Sequence, residues 1–202
     1  MEFFDDPDST REEILGAAYR ALGRHGYADL TVEKIGAEFD KSPSLVYHHY
    51  DGKDELLLAC LEYMLESYEA QLVEGAVEDP RGRLEAAVEA VLDPEPDGAR
   101  DRFTRALVEL RAQAAHDERY RDHFTRSDRF FHSRLVTVVE AGAEAGEFRE
   151  VDPEAVAATI GTFFAGWFLR RATVDDDERL RDARDEFEAF LHTRLYADGD
   201  EA

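Results

Sequence analysis

Thr31-Val32-Glu33-Lys34-Ile35-Gly36-Ala37-Glu38-Phe39-Asp40-Lys41-Ser42-Pro43-Ser44-Leu45-Val46-Tyr47-His48-His49-Tyr50 is the stretch on which the reading of this chain turns. Thr31 is a good N-cap, and Val32, Ile35, Gly36 and Phe39 fall at i, i+3, i+4 and i+7, one apolar stripe on a short helix. Ser42-Pro43 then opens another helix, a cap followed by a proline at the first helical position, where its missing N–H costs nothing. From Pro43 to Tyr50, Val46 and Tyr50 are spaced to join the stripe of the preceding helix. Ser44, Leu45, Tyr47 and His48 are left pointing away from that core. Two short helices joined by a turn of about three or four residues, the second with an outer face of hydroxyl, aromatic and imidazole groups, describe a helix-turn-helix.

Outward from this motif the chain reads as helix throughout, with no convincing strand alternation. Ser9 or Thr10 caps a first helix with Ile14, Ala18, Leu22 and His25 on one face, and Gly26 is expected to stop it. A long connector helix opens at Asp51-Gly52-Lys53 and continues to about Val77. Asp79-Pro80 breaks the pattern, Leu84, Val88 and Val91 carry a further helix, and Asp93 to Gly98 is the clearest loop. Beyond it lie a helix near Ala99 to His116, a longer one near Glu118 to Gly146, an uncharged one after Asp152-Pro153 and a last one from about Asp177 or Arg181 to Tyr196. The expected fold is all-α with about nine helices. Its domains are expected to be a three-helix helix-turn-helix domain over 1–52 and a second helical domain over 53–202, with 53–77 as the connector.

Composition narrows the function classes. The 202 residues hold 47 Asp+Glu against 24 Lys+Arg, a formal charge of −23, yet 44% are hydrophobic and 11% aromatic, too many for an acidic tail that stays unfolded. The single cysteine, Cys60, cannot form an internal disulfide, which fits a reducing cytoplasm and removes every multi-cysteine metal site. Met1 to Ser9 is too acidic for a signal peptide, and the longest uncharged run, Ala155 to Leu169, is shorter than the roughly 18 to 20 apolar residues that span a bilayer. No membrane partner is expected. Of the basic residues only Lys34, Lys41 and Lys53 are lysines, and asparagine is absent, a usage that suggests a halophile with molar internal potassium. High negative charge keeps a protein soluble where salt has cut the screening length to about 3 Å. All three lysines fall between Arg20 and Lys53, where five basic and five acidic residues balance. This neutral island in an anionic chain is either chance clustering or a surface that must approach a polyanion.

Gly26 to Ile35, followed by Ser42-Pro43-Ser44-Leu45-Val46-Tyr47-His48-His49-Tyr50-Asp51-Gly52-Lys53-Asp54-Glu55-Leu56, resembles the N-terminal domain of TetR/AcrR-family transcriptional regulators. The likeness covers about the first 65 residues motif by motif, and the later helices agree with the family in number, length and order. The resemblance implies a homodimer paired through the last two helices, a double-stranded DNA operator and a small-molecule effector held in the second domain. Position by position it implies that Thr31, Val32, Lys41 and Ser42 face the DNA backbone. Ser44, Leu45, Tyr47 and His48 would enter the major groove, with Tyr47 and His49 meeting phosphate and Lys53 gripping another. Two positions depart from the family's turn: Asp40 stands where a glycine is usual, and Lys41 where a residue usually packs inward. Lys41 is expected to point outward, towards phosphate.

Other chemistry finds little support. His48 and His49 diverge by about 100° on a helix, so they do not easily share an ion. No histidine has a Glu three residues before it, and no Gly-rich phosphate loop or recognisable nucleophile occurs. No catalytic residue, metal or cofactor is expected. Cys60 reads as a buried structural thiol. Phe103, Leu107, Arg111, Phe131, Arg134, Phe164 and Trp167 are candidate effector contacts, since the resemblance implies a cavity among these helices. Core or interface roles compete for Trp167 and Phe164, and surface ion pairing for the two arginines. With aromatics prevailing, the effector is expected to be apolar or amphipathic. The expected function is a ligand-released repressor on a palindromic operator. The alternatives are a helical ligand-binding module without DNA binding, and an architectural DNA protein, which exposed Leu45, Tyr47 and His48 argue against. Because like charges repel at low salt, operator binding should persist or strengthen as KCl rises to about 1 M, unlike the steep loss normal for basic proteins. A mobility-shift titration across KCl concentrations checks this, and steady weakening from about 0.1 M upward would contradict it.

Overall fold

The computed structural model describes residues 4, 7–38, 44–71, 78–93 and 98–197. Among them are nine helices and no strand beyond one isolated bridge, in agreement with the all-α reading. They are α1 (Thr10–Asp29), α2 (Val32–Ala37), α3 (Ser44–His49), α4 (Lys53–Gln71), α5 (Pro80–Val91), α6 (Gly98–Gln113), α7 (Glu118–Glu144), α8 (Pro153–Thr173) and α9 (Asp177–Arg194). The chain divides into two compact units, one of 1–73 with 98–125 and one of 74–97 with 126–202. The first therefore contains α6 and the opening turns of α7 as well as the helix-turn-helix.

The caps are where the side chains put them. Ser9 accepts from the Glu12 N–H at 3.2 Å, Thr31 from the Lys34 N–H at 3.3 Å, and Asp152 from the Glu154 N–H at 3.1 Å. Gly26 departs from the simple stop. It adopts φ 69°, ψ 164°, a left-handed value that a side chain would strain, and the chain then makes one more turn to Asp29. α6 ends at Gln113, short of the expected His116. The described part of the connector ends at Gln71; 72–77 and the turn at 39–43, with Phe39, Lys41 and Ser42, lie outside the described residues.

In the first unit, Ile14, Leu15, Ala17, Ala18 and Ala21 make the inner face of α1 and are fully buried. Against them pack Ile35 of α2, Val46 of α3 and Leu56 and Leu57 of α4, which joins the four N-terminal helices in one core. Tyr50 is buried there too, as its spacing from Val46 suggested. The second unit is built on Leu84 and Val88 of α5, Val139 of α7, Ile160 and Trp167 of α8 and Phe187 and Leu191 of α9. Its chain end is tied back by Arg149 N–H to the Leu195 carbonyl at 2.7 Å and Ala197 N–H to the Glu147 carbonyl at 2.9 Å, with Phe148 and Tyr196 stacked beside them.

Cys60 is buried, and its thiol lies 3.8 Å from the Leu15 carbonyl oxygen, to which it donates. Burial alone pushes its pKa up to about 12. The native protein should therefore leave a thiol-specific disulfide reagent unreacted at about pH 8, with one thiol appearing only as denaturant unfolds the first unit. A fast native reaction, read by absorbance, would contradict the burial.

Candidate nucleic-acid interface

α2 and α3 present a small outer face. Thr31 is exposed at the α2 N-terminus, and Ser44, Tyr47, His48 and His49 are exposed on α3. Two residues sit differently from the sequence expectation. Leu45 is half-buried and packs against the first core, so it is not wholly free to reach into a groove. The helix is only six residues long, and its apolar side chains all gain by sharing the nearby core. Val32 is buried, with only 8% of its surface exposed, so its side chain is part of the core and does not face outward.

Tyr47 is 54% exposed, and its hydroxyl donates to Glu33 Oε1 on α2 at 3.2 Å. Hydrogen bonds from its own backbone N–H, then from the Thr31 and Tyr47 side chains, hold the Glu33 carboxyl below its usual range. Partial removal from water, then the Glu33 charge and hydrogen bond, push the Tyr47 phenol up. Glu33 is a contact the pattern reading missed, because two exposed side chains on different helices carry no periodic signal.

The described basic residues of the neutral island, Arg20, Arg24, Lys34 and Lys53, are also engaged within the unit. Arg24 pairs with Glu38 at 2.5 Å, and Arg20 donates to the Glu38 carbonyl at 3.3 Å. Lys34 Nζ donates to the Asp29 carbonyl at 2.6 Å. Lys53 Nζ donates to the Tyr27 carbonyl at 2.9 Å and lies 4.4 Å from the centre of the Tyr27 ring. What the outer face exposes is therefore chiefly uncharged, the hydroxyls of Thr31, Ser44 and Tyr47 and the imidazoles of His48 and His49, with the Glu33 carboxylate beside them. Such groups suit phosphate oxygens and base edges without a strong field of their own.

The candidate effector contacts fall in both units. In the first, Phe103 and Leu107 are half-buried against the core, and the exposed Arg111 places its guanidinium 4.6 Å from the centre of the Phe124 ring. In the second, Arg134 is half-buried and Phe131 39% exposed, its ring edge-on to Phe130. Phe164 is half-buried and Trp167 buried, in a group where Phe163 stacks on Phe187 at 4.0 Å between ring centres and on Trp167 at 6.5 Å. On the outside of α8, Ala158, Gly161, Thr162, Ala165, Gly166 and Leu169 form an exposed uncharged stripe. The outside of α9 is instead charged, with Arg181, Asp182, Asp185 and Glu186.

Known proteins resemble this chain over most of its length. Residues 14–60 match the family model for bacterial regulatory proteins of the tetR family, and residues 80–195 match the C-terminal domain of BetI-type transcriptional repressors. A curated relative, the HTH-type transcriptional regulator BetI of Brucella anthropi, is 29% identical over 188 residues, covering 92% of this chain and 93% of that one. The HTH-type transcriptional repressor AcnR of Corynebacterium efficiens is 28% identical over 183 residues, covering 90% and 92%. Among solved structures, a TetR transcription regulator from Haloarcula marismortui superposes with a TM-score of 0.77 at 36% identity, covering 92% of this chain and 97% of that one. A regulator from Saccharomonospora viridis in complex with choline shares the fold, with a TM-score of 0.78 at 22% identity, covering 93% and 98%.

Tyr47→Phe is expected to weaken operator binding by about 1 to 2 kcal/mol, roughly 5- to 30-fold, without changing the melting temperature. Lys53→Ala is expected to weaken it similarly while also lowering the melting temperature, because it frees the Tyr27 carbonyl. Fluorescence anisotropy and thermal unfolding of the two variants, compared side by side, check both outcomes.

Proposed function

The chain belongs to the TetR family and carries a BetI-type C-terminal domain, so it is a DNA-binding transcriptional regulator and not an enzyme; from that premise we propose a homodimeric repressor of the cytoplasm, released from a palindromic operator by a small effector. Each protomer places the exposed face of α3 in a major groove, with Ser44, Tyr47 and His48 towards base edges and Thr31, Tyr47, His49 and Lys53 towards phosphate. The two readers of a dimer then stand about 34 to 36 Å apart, or slightly more, and the operator half-sites repeat at that spacing. The observation that carries this reading is the neutral face of α2 and α3 on a chain of charge −23. A strongly anionic protein approaches DNA more readily through a surface whose own charges are balanced than through the rest of its acidic surface.

The uncharged stripe of α8 supports the pairing. Side-chain carbons built at Gly161 and Gly166 meet nothing within 4 Å, so a second helix has room to approach closely. The charged outside of α9 makes α8 the main contributor to that interface. For the effector, Phe164 and Trp167 stand beside Phe163 and Phe187 in one aromatic group. Such a group suits an apolar or amphipathic molecule, including a quaternary ammonium attracted to ring faces. Choline, held by the structural neighbour from Saccharomonospora viridis, is accordingly a first probe. Effector binding shifts the population towards a dimer whose readers no longer match the half-site spacing.

Footprinting against the protein's own upstream region in about molar KCl, with light scattering of the free protein, tests this reading. A discrete palindromic footprint, a dimer mass and its loss on Gly166→Arg are expected. A shift without sequence preference, or none, would remove the repressor reading. Operator affinity unmoved by choline and by alkyl or aromatic amphiphiles, at concentrations that bind the protein, would remove the effector reading.

A further inference from the structure

Tyr27 follows the left-handed Gly26, and α4 and α6 hold it from several sides. Its hydroxyl donates to Asp54 Oδ1 at 2.8 Å, its carbonyl accepts from Lys53 Nζ, and the same ammonium lies over its ring. Tyr120 of α7 donates to the Asp54 carbonyl at 3.3 Å and closes the group. The remaining bond is of another kind. The Tyr27 N–H donates to a carboxylate oxygen of Glu109, a residue of α6 that is 82 positions away in the chain.

That N–H needs a partner from elsewhere. The non-helical φ and ψ of Gly26 interrupt the run of bonds within α1, so the next amide is orphaned in a half-buried place. Glycine is also what lets the carboxylate come so close: a side-chain carbon at position 26 would lie 3.2 and 3.3 Å from the two Glu109 oxygens, on a backbone that disfavours it anyway. Just beyond Tyr27 the chain makes its last turn of α1, buries Leu30 and enters α2 through the Thr31 cap. The carboxylate thus grips α1 at its last break before the reading motif. A hydrogen bond of this sort is lost within about 1 Å of displacement, and both ends then require water. Made or broken, it has two states.

We propose that Glu109 is a positioning residue that locks the end of α1, and with it the entry to α2 and α3, to α6, so that DNA occupancy of α3 and the state of α6 are coupled through this one bond. The proposal rests on the reading of α3 as the DNA-binding helix. Thermodynamic coupling is reciprocal, so it can be read from the DNA side with no effector in hand.

The test is hydrogen–deuterium exchange of the full-length protein with and without a duplex carrying the footprinted palindrome. Four forms are compared: wild type, Glu109→Ala, Glu109→Asp, which keeps the charge but shortens the reach, and Glu109→Gln, which keeps an acceptor oxygen in place. Saturating operator is expected to slow exchange of the Leu107–Gln113 amides at least about threefold in the wild type and Glu109→Gln. No slowing is expected in Glu109→Asp and Glu109→Ala, whose operator affinity falls roughly tenfold. Glu109→Asp carries the test should the alanine variant fail to fold. Exchange in α6 that ignores operator in the wild type overturns the proposal, and so does equal slowing in Glu109→Asp. Glu109→Gln behaving like Glu109→Asp overturns the assignment to this bond. A wild type that binds no duplex overturns the reading of α3 as well, and the affinity titration reveals that before any exchange is measured.

Discussion

A six-residue helix does not hold itself together in water, and α3 is such a helix. Its existence depends on the burial of Val46 and Tyr50 in the core shared by α1, α2 and α4. Forming the first turn of a helix fixes several residues for a single hydrogen bond, and only tertiary contact makes up that loss. The outer face of α3 is therefore borrowed from α1, whose Ile14, Leu15, Ala17, Ala18 and Ala21 supply the floor on which α3 rests. Small alanines on that face allow the short helices to approach closely, and the exposed Ser44, Tyr47, His48 and His49 are what remain once the apolar positions are used.

The second constraint is electrostatic. The chain carries a formal charge of −23, and its reading surface is not a basic patch. Arg20, Arg24, Lys34 and Lys53 all make bonds inside the first unit, to Glu38, to the Asp29 carbonyl and to the Tyr27 carbonyl. Glu33 in turn holds the Tyr47 hydroxyl. The described cations near the motif stabilise the body that presents it.

Much of this was legible in the sequence because it rests on local rules. The caps at Ser9, Thr31 and Asp152 and the proline that opens α8 are chemistry within a few residues, and each stands where its residue types put it. The apolar stripes of α1, α3 and α4 obey helical spacing, so Ile14, Val46, Tyr50 and the buried Cys60 were readable as inward positions, whereas His25, read onto the α1 stripe, is exposed. The outer face of α3 followed by subtraction. Leu45 marks where subtraction fails: an apolar residue beside a core leans towards it even from a position that the helical wheel calls outer.

What the sequence determined by itself, then, is the number and order of helices, the helix-turn-helix and the family, all consequences of periodicity and capping within reach of a few turns. Only the tertiary structure decided that α6 joins the N-terminal unit, that Lys53 is tied to Tyr27, that Glu33 meets Tyr47 and that Glu109 caps the break at Gly26. These are bonds between polar side chains and chain segments far apart in sequence. A hydrogen bond across 82 residues leaves no period in the chain, and its existence depends on packing that must first bring the two helices together.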